Sequence, residues 1–358
     1  MPLHTSLRIQ SRAWLFCLIT SLSLNSIASA QKYSQTNLVS DVPGIAATTD
    51  PNLVNAWGID FSATSPVWIA DNGTGLATLY TGAGGIVPLV VTIPPPTGSE
   101  DTSAPTGLVF NGSGDFVVTK SGVSGSSVFL FDTEDGTISG WNPTVDMHHA
   151  ILAVDNSGVE AIYKGLAIGQ ADNRSFIYAT NFHSGWVEMY DSKFQWVKNF
   201  TDTDLPPGYA PFGIRNINNK LYVTFALQNE DKKDDVAGPG LGFVDVFDLN
   251  GNKLKRLISH GALNAPWGLA LAPANFGKFS GNLLVGNFGN GHISAYNVQT
   301  GAFLGQLRNT AGAELAIDGL WGLKFGNGGA AGPTNTLLFT AGPDHEAHGL
   351  FGSIQALP

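Results

Sequence analysis

One Gly-centred phrase recurs six times along this chain, and that recurrence limits the folds open to it more than any other feature. It reads "NAWGIDF" at Gly58, "APTGLVF" at Gly107, "IYKGLAI" at Gly165, "APFGIRN" at Gly213, "NAPWGLALAP" at Gly268 and "GLWGLKF" at Gly322. The spacings are 49, 58, 48, 55 and 54 residues. A period of this size suits a four-stranded propeller blade and exceeds that of most solenoid repeats. A second apolar run follows each phrase: "PVWIADNGTG", "DFVVTKSG", "SFIYATNFHSG", "KLYVTFALQ", "NLLVGNFGNG" and "TLLFTAGPDHE". These runs are rich in β-branched and aromatic residues and most end in turn residues, as strands do. Third runs follow, "SSVFLFDTEDG" and "GFVDVFDLNG" among them, and then less regular fourth runs. No segment carries a sustained helical period.

The expected fold is therefore all-β: a six-bladed β-propeller of four-stranded antiparallel blades. The last repeat holds three strands, and "YSQTNLVS", Tyr33 to Ser40, precedes the first repeat without a meander of its own. It is expected to supply the missing fourth strand and close the ring, which removes the exposed sheet edges. The phrase glycines are expected where inner strands begin, too close to their neighbours for a side chain.

Composition agrees with a compact, turn-rich chain. Charged residues are 13 % of the 358, and glycines number 44. Residues 1–30 read as a secretory signal: Arg8 and Arg12, then the apolar run Ala13 to Leu24, then "ASA" as a cleavage site. The apolar run is too short to span a membrane. The expected mature protein is one propeller domain, 31–358, monomeric, secreted to the periplasm or medium. The only cysteine, Cys17, lies in the leader, so no disulfide or thiolate chemistry is expected in the mature chain. Without the leader, 16 basic residues face 28 acidic ones. That balance argues against nucleic acid or an anionic membrane surface as partner and permits cations.

Three stretches carry a resemblance to a known family. "QTNLVSDVPGIAATTDPNLVNAWGI", "NFGNGHISAYN" and "HEAHGLFG" resemble an uncharacterised family of secreted, NHL-like β-propeller proteins, over essentially the whole mature chain. The resemblance implies the propeller and no particular reaction. NHL-type propellers bind proteins, RNA or glycans, and some six-bladed relatives are calcium-dependent lactonases or lyases.

Two loop classes share one mouth of the channel in such a ring: the segments leading into the inner strands, and the turns after the second strands. They supply Asn55, Asp71, Asn72, His183, Asn264, Asp318, Glu346 and His348 as candidate ligand residues. The lactonase likeness implies a Ca2+ ion in the channel. Glu160, Asn181, Asn287 and Asp344 offer the hard oxygen donors for it. The first blade offers Asn55 where those enzymes place an acid. Tight turns use the same residue types, so a purely structural role is the competing reading.

"DHEAHG" is not the zinc-protease motif, because its histidines are three apart and no helix surrounds them. "GVSGSSV" reads as a hairpin turn, not a nucleophile elbow. "MHHA" is expected between blades two and three. "NEDKKDDVAG" interrupts the fourth blade after its second strand and is expected to be a solvated loop, with partner or cation binding as the alternative. Trp57, Phe212, Trp267 and Trp321 are expected to be buried between blades. The leading function is a scaffold that binds a small molecule, glycan or protein at a channel mouth. The alternative is a calcium-dependent hydrolase or lyase.

Overall fold

Each repeated phrase forms an innermost strand: Ala56–Asp60, Pro105–Phe110, Tyr163–Ala171, Tyr209–Ile217, Pro266–Leu271 and Leu320–Phe325. The glycines explain the ring. A Cβ on Gly58 would lie 2.3 Å from the Thr106 carbonyl oxygen, and one on Gly107 would lie 2.3 Å from Leu166 N. On Gly213 it would meet Trp267 O at 2.2 Å, and on Gly268 Trp321 O at 2.4 Å. Gly322 completes the circuit, with Trp57 O of the first blade at 2.8 Å. Neighbouring inner strands converge at this level, and only a residue without a side chain fits between them. Gly165 is the loosest of the six, at 3.1 Å from Phe212 O.

The computed structural model describes residues 1–3 and 31–358. The leader reading of residues 1–30, Cys17 included, otherwise lies outside the described residues. Residues 31–358 form the expected six-bladed β-propeller, in which each blade is built on four antiparallel strands. Strands near the axis are buried on both faces because blades stack face to face, hence strands buried throughout, such as Val67–Asp71. Outer strands alternate, as in Ile86–Thr92. The sixth blade pairs Leu320–Phe325, Leu337–Ala341 and Leu350–Ala356. Tyr33–Ser40 then adds antiparallel to Leu350–Ala356, with Tyr33 opposite Ala356. The ring closes through its N-terminal strand, as expected. Tyr33 locks that strand: its ring is fully buried 5.0 Å from Phe276, and its hydroxyl donates to the Phe276 carbonyl at 3.3 Å. Among the described residues no helix is long and apolar enough to cross a membrane.

Blade two differs from the sequence reading. "DFVVTKSG" is not its second strand. Val117–Lys120 instead pairs with Val123–Ser126 in a separate hairpin, turned at Ser121 and Gly122, both at positive φ. The second strand is Phe129–Thr133, followed by Thr137–Trp141 and Ile151–Asp155. Burial explains the choice. Phe129–Thr133 is buried throughout and suits the inside of a blade stack, whereas Val117–Lys120 is mostly exposed. His148 and His149 consequently fall inside blade two, between its third and fourth strands, and not between blades two and three.

Blade two also carries an unusual clasp. In blades four and six a threonine of the second strand accepts from the phrase glycine: Thr224 from Gly213 N at 2.8 Å, and Thr340 from Gly322 N at 2.9 Å. In blade two Asp132 takes this role, accepting from Gly107 N at 2.7 Å and Thr106 Oγ1 at 3.0 Å. Burial pushes its carboxyl up to about 7. The folded protein therefore holds a proton there that the unfolded chain releases near pH 4. This contribution to stability is full below about pH 4 and is lost as pH rises through about 7. Urea unfolding of the wild type and Asp132→Thr across that range checks it. The wild type is expected to weaken more steeply with rising pH, and parallel curves would refute the clasp's titration.

Candidate functional site

The mouth where the inner strands begin, here the upper mouth, gathers most of the residues expected from the sequence. Its floor is aromatic. The residue before the phrase glycine is Trp57, Phe212, Trp267 or Trp321 in four blades, Thr106 in blade two and Lys164 in blade three. These aromatics do not lie between blades as expected. They meet across the channel axis, because that position on an innermost strand faces the centre of the ring. Trp57 stacks on Trp321 with centroids 3.6 Å apart, and Phe212 and Trp267 each meet Trp321 edge-on at 5.8 Å. Phe288 stacks on the far face of Trp321 at 3.9 Å.

Lys164 is the one cation in this floor. Its side chain is 3 % exposed, and its ammonium lies 5.2 Å above the Trp57 ring. It pairs with Glu134 and reaches Asp234 at 3.4 Å. From Glu134 a chain of side-chain hydrogen bonds crosses the mouth. Asn72 Nδ2 donates to Glu134 at 3.0 Å, and Asn55 Nδ2 donates to Asn72 Oδ1 at 3.1 Å. Asn55 Nδ2 also donates to Glu346 Oε2 at 2.6 Å, while Asn55 Oδ1 accepts from Trp321 Nε1 at 3.1 Å. Five of the six blades contribute to this cluster.

The backbone at the cluster is strained. Asp344, His345 and Glu346 have φ of 56°, 56° and 67°, three consecutive left-handed residues, and Asn55 has φ 46°. L-residues adopt such angles at about 1 kcal/mol or more each. The turn that delivers Glu346 to Asn55 thus carries stored strain. Gly342 leaves room for the contact: a Cβ there would lie 2.1 Å from Asn55 Oδ1.

The two glutamates are tuned apart. Burial raises both, but beside Glu134 the Lys164 ammonium wins and holds its carboxyl below the usual range. Glu346 is raised by burial, with the hydrogen bond from Asn55 opposing and the charge of Glu134 adding. Burial pushes Asp235 up to about 7.

The other expected residues lie elsewhere around the rim. Glu160 is exposed and faces His183, Nε2 to Oε2 3.7 Å. Asn181 donates to Glu188 at 2.8 Å and accepts from Ser184 N at 3.2 Å. Asn287 accepts from Asn264 N at 3.0 Å and donates to the Ala262 carbonyl at 3.1 Å. Asp318 accepts from Asp344 N at 2.9 Å. Asn264 accepts from Gly238 N at 2.7 Å, and His348 bonds Asp41 at 2.8 Å. Asp71 is buried within its blade, where desolvation holds it well above the carboxylate range. No hydrogen bond joins any two of Glu160, Asn181, Asn287 and Asp344. Among the described residues no three His, Cys, Asp or Glu side chains are grouped as metal ligands.

Sequence reasoning missed Glu134 and Lys164, while Asp234 and Asp235 belong to the charge run for which cation binding was the alternative. Glu134 follows the true second strand of blade two and so belongs to the same turn class as Asn72. Lys164 had a signal of its own, a lysine in a position that four other blades fill with an aromatic ring. The charge run is more than a solvated loop, since its Asp234 reaches the axial lysine.

This ring and its axial cluster define a six-bladed β-propeller with a polar site at one channel mouth. The chain belongs to the family of two uncharacterised proteins of Acanthamoeba polyphaga mimivirus. It is 33 % identical to Uncharacterized protein R648 over 328 residues, 88 % of this chain and 78 % of the relative. It is 32 % identical to Uncharacterized protein L690, over 88 % and 84 % of the two chains. No family model matches the chain. Among solved structures it resembles virginiamycin B lyase from Staphylococcus aureus, with TM-score 0.52 and 14 % identity over 91 % of this chain and all of that one. A streptogramin B lyase structure is similar at TM-score 0.52 and 11 % identity, over 91 % and 98 % of the two chains. These likenesses show the propeller fold.

Proposed function

We propose that this protein binds a small molecule or cation at the upper mouth of its channel. The observation that carries the reading is the convergence of Asn55, Asn72, Glu134, Lys164 and Glu346 from four blades into one hydrogen-bonded cluster over an aromatic floor. A purely structural plug has no need of strained backbone or of several carboxylates around one ammonium. A small ligand is favoured over a glycan or protein because the floor's Trp57, Phe212 and Trp321 are buried and offer no aromatic platform. The carboxylates of Glu134, Asp234, Asp235 and Glu346 favour a ligand that bears positive charge.

A second reading, a cation-assisted hydrolase or lyase, is favoured by the split between Glu346 and Glu134. The donor chemistry of Glu346, Asn55 and Asn72 fits a calcium ion, while Lys164 already neutralises Glu134. Bound there, calcium would supply a Lewis acid to an ester or lactone carbonyl.

Thermal melting of chelator-treated protein, with and without added Ca2+, tests the reading. Calcium is expected to raise the melting temperature of the wild type and to leave Glu346→Gln unmoved. Equal shifts in both proteins would place any calcium elsewhere, and no shift in either would remove calcium from the account.

A further inference from the structure

The opposite end of the channel, where the inner strands finish, carries a different chemistry. There the ring opens into a cavity of about 290 Å³. Three inner strands place a charged residue two positions after the phrase glycine: Asp60, Arg215 and Lys324. All three line this cavity, with apolar walls that include Phe61, Leu108 and Ile168. Arg215 and Lys324 also line an adjoining cavity of about 300 Å³.

Two of the three charges are already committed. Lys324 pairs with Asp60, and its ammonium lies 4.6 Å above the Phe61 ring. Asp60 also accepts from Phe110 N at 2.8 Å. Arg215 is not committed in this way. Its guanidinium has five donors, and one long bond, 3.4 Å to the Leu323 carbonyl, is what holds it among the described residues. Burial works against its charge, and Asp60 offsets that in part. The cavity thus holds one surplus positive charge in a chain of net charge −10.

We infer that this lower mouth is a second binding site, which takes a small organic carboxylate with Arg215 as its anchor. The planar guanidinium matches a carboxylate through two parallel hydrogen bonds. One unit of negative charge balances the surplus, whereas a dianion would leave buried negative charge uncompensated near Asp60. The apolar walls receive the body of the ligand, and the volume lies at the small end of ligand pockets, enough for about one ring.

Benzoate is the probe, titrated calorimetrically into the whole protein as purified. Binding is expected in the millimolar range or tighter, weakened about tenfold or more by Arg215→Gln. Arg215→Lys, which keeps the charge and loses the fork, is expected to fall between the two. Glu346→Gln, at the other mouth, is expected to bind as the wild type does. Thermal melts of each variant confirm that the ring is intact. Equal binding by the wild type and Arg215→Gln overturns the assignment. So does the absence of binding up to about 10 mM benzoate, and so does tighter binding of inorganic phosphate than of benzoate.

Discussion

A chain that lacks residues 31–40 is expected to lose cooperative folding. The strand Tyr33–Ser40 is the outer partner of Leu350–Ala356, and seven residue pairs join the two. Its removal takes the buried side chains of Tyr33, Leu38 and Val39 out of the core. Burial of such side chains contributes about 1.5–3 kcal/mol each, so their loss alone consumes much of a domain's net stability. It also leaves a long strand edge unpaired, which promotes association between molecules. Circular dichroism melts and size-exclusion profiles of the shortened and full chains check this. The shortened chain is expected to aggregate or to melt without a sharp transition. A synthetic peptide of residues 31–40 is expected to restore part of the transition by adding back as a strand. A shortened chain that melts within a few degrees of the full one would show that the ring does not depend on this closure.

The second large effect is expected at Gly213. A methyl group there would sit 2.2 Å from the Trp267 carbonyl oxygen and 2.9 Å from its carbon. Both are backbone atoms of the next inner strand, which cannot swing aside as a side chain can. The ring must expand, and five other close approaches resist. Gly213→Ala is expected to destabilise by about 3 kcal/mol or more, at the upper end for overpacked sites. Gly114→Ala is the matched control, since nothing lies within 4 Å of its added carbon. Its change is expected to stay within about 0.5 kcal/mol. Chemical denaturation of both variants separates the cases. Equal stability would remove the steric reason given for the repeated glycine.

The same glycines show why the architecture was legible in the sequence. A close approach between strands demands glycine at one position per blade, so the fold leaves a periodic mark. The closing strand was legible for a related reason: Tyr33–Ser40 reads as a strand that no local hairpin could pair. Blade two was misread because its inserted hairpin has strand-like composition, and only burial separates Val117–Lys120 from Phe129–Thr133. That shift hid Glu134. The upper mouth was legible as a class of loops, and Asn55, Asn72 and Glu346 do meet there. Which loop residues meet depends on side-chain reach and on strained turns, and neither leaves a pattern. Asn181 accepts from Ser184 N in its own turn, and Asn287 accepts from Asn264 N, so each amide is held by the loop around it. Asp234 reaches the axis only because the insert after Lys220–Leu227 folds back over the mouth. At the lower mouth the signal existed: a charge two residues past the glycine in three of the six inner strands.

On the proposed function, the upper-mouth cluster is kept for binding at the expense of stability. The melting temperature of Glu346→Gly tests it most directly, because it requires no knowledge of the ligand. Glycine removes the cost of one left-handed residue, about 1 kcal/mol, and a carboxyl raised by burial beside Glu134. Asn55 Nδ2 retains Asn72 as its acceptor. Glu346→Gly is expected to melt higher than the wild type. A variant less stable by about 1 kcal/mol or more would contradict it, and would make Glu346 part of a structural plug.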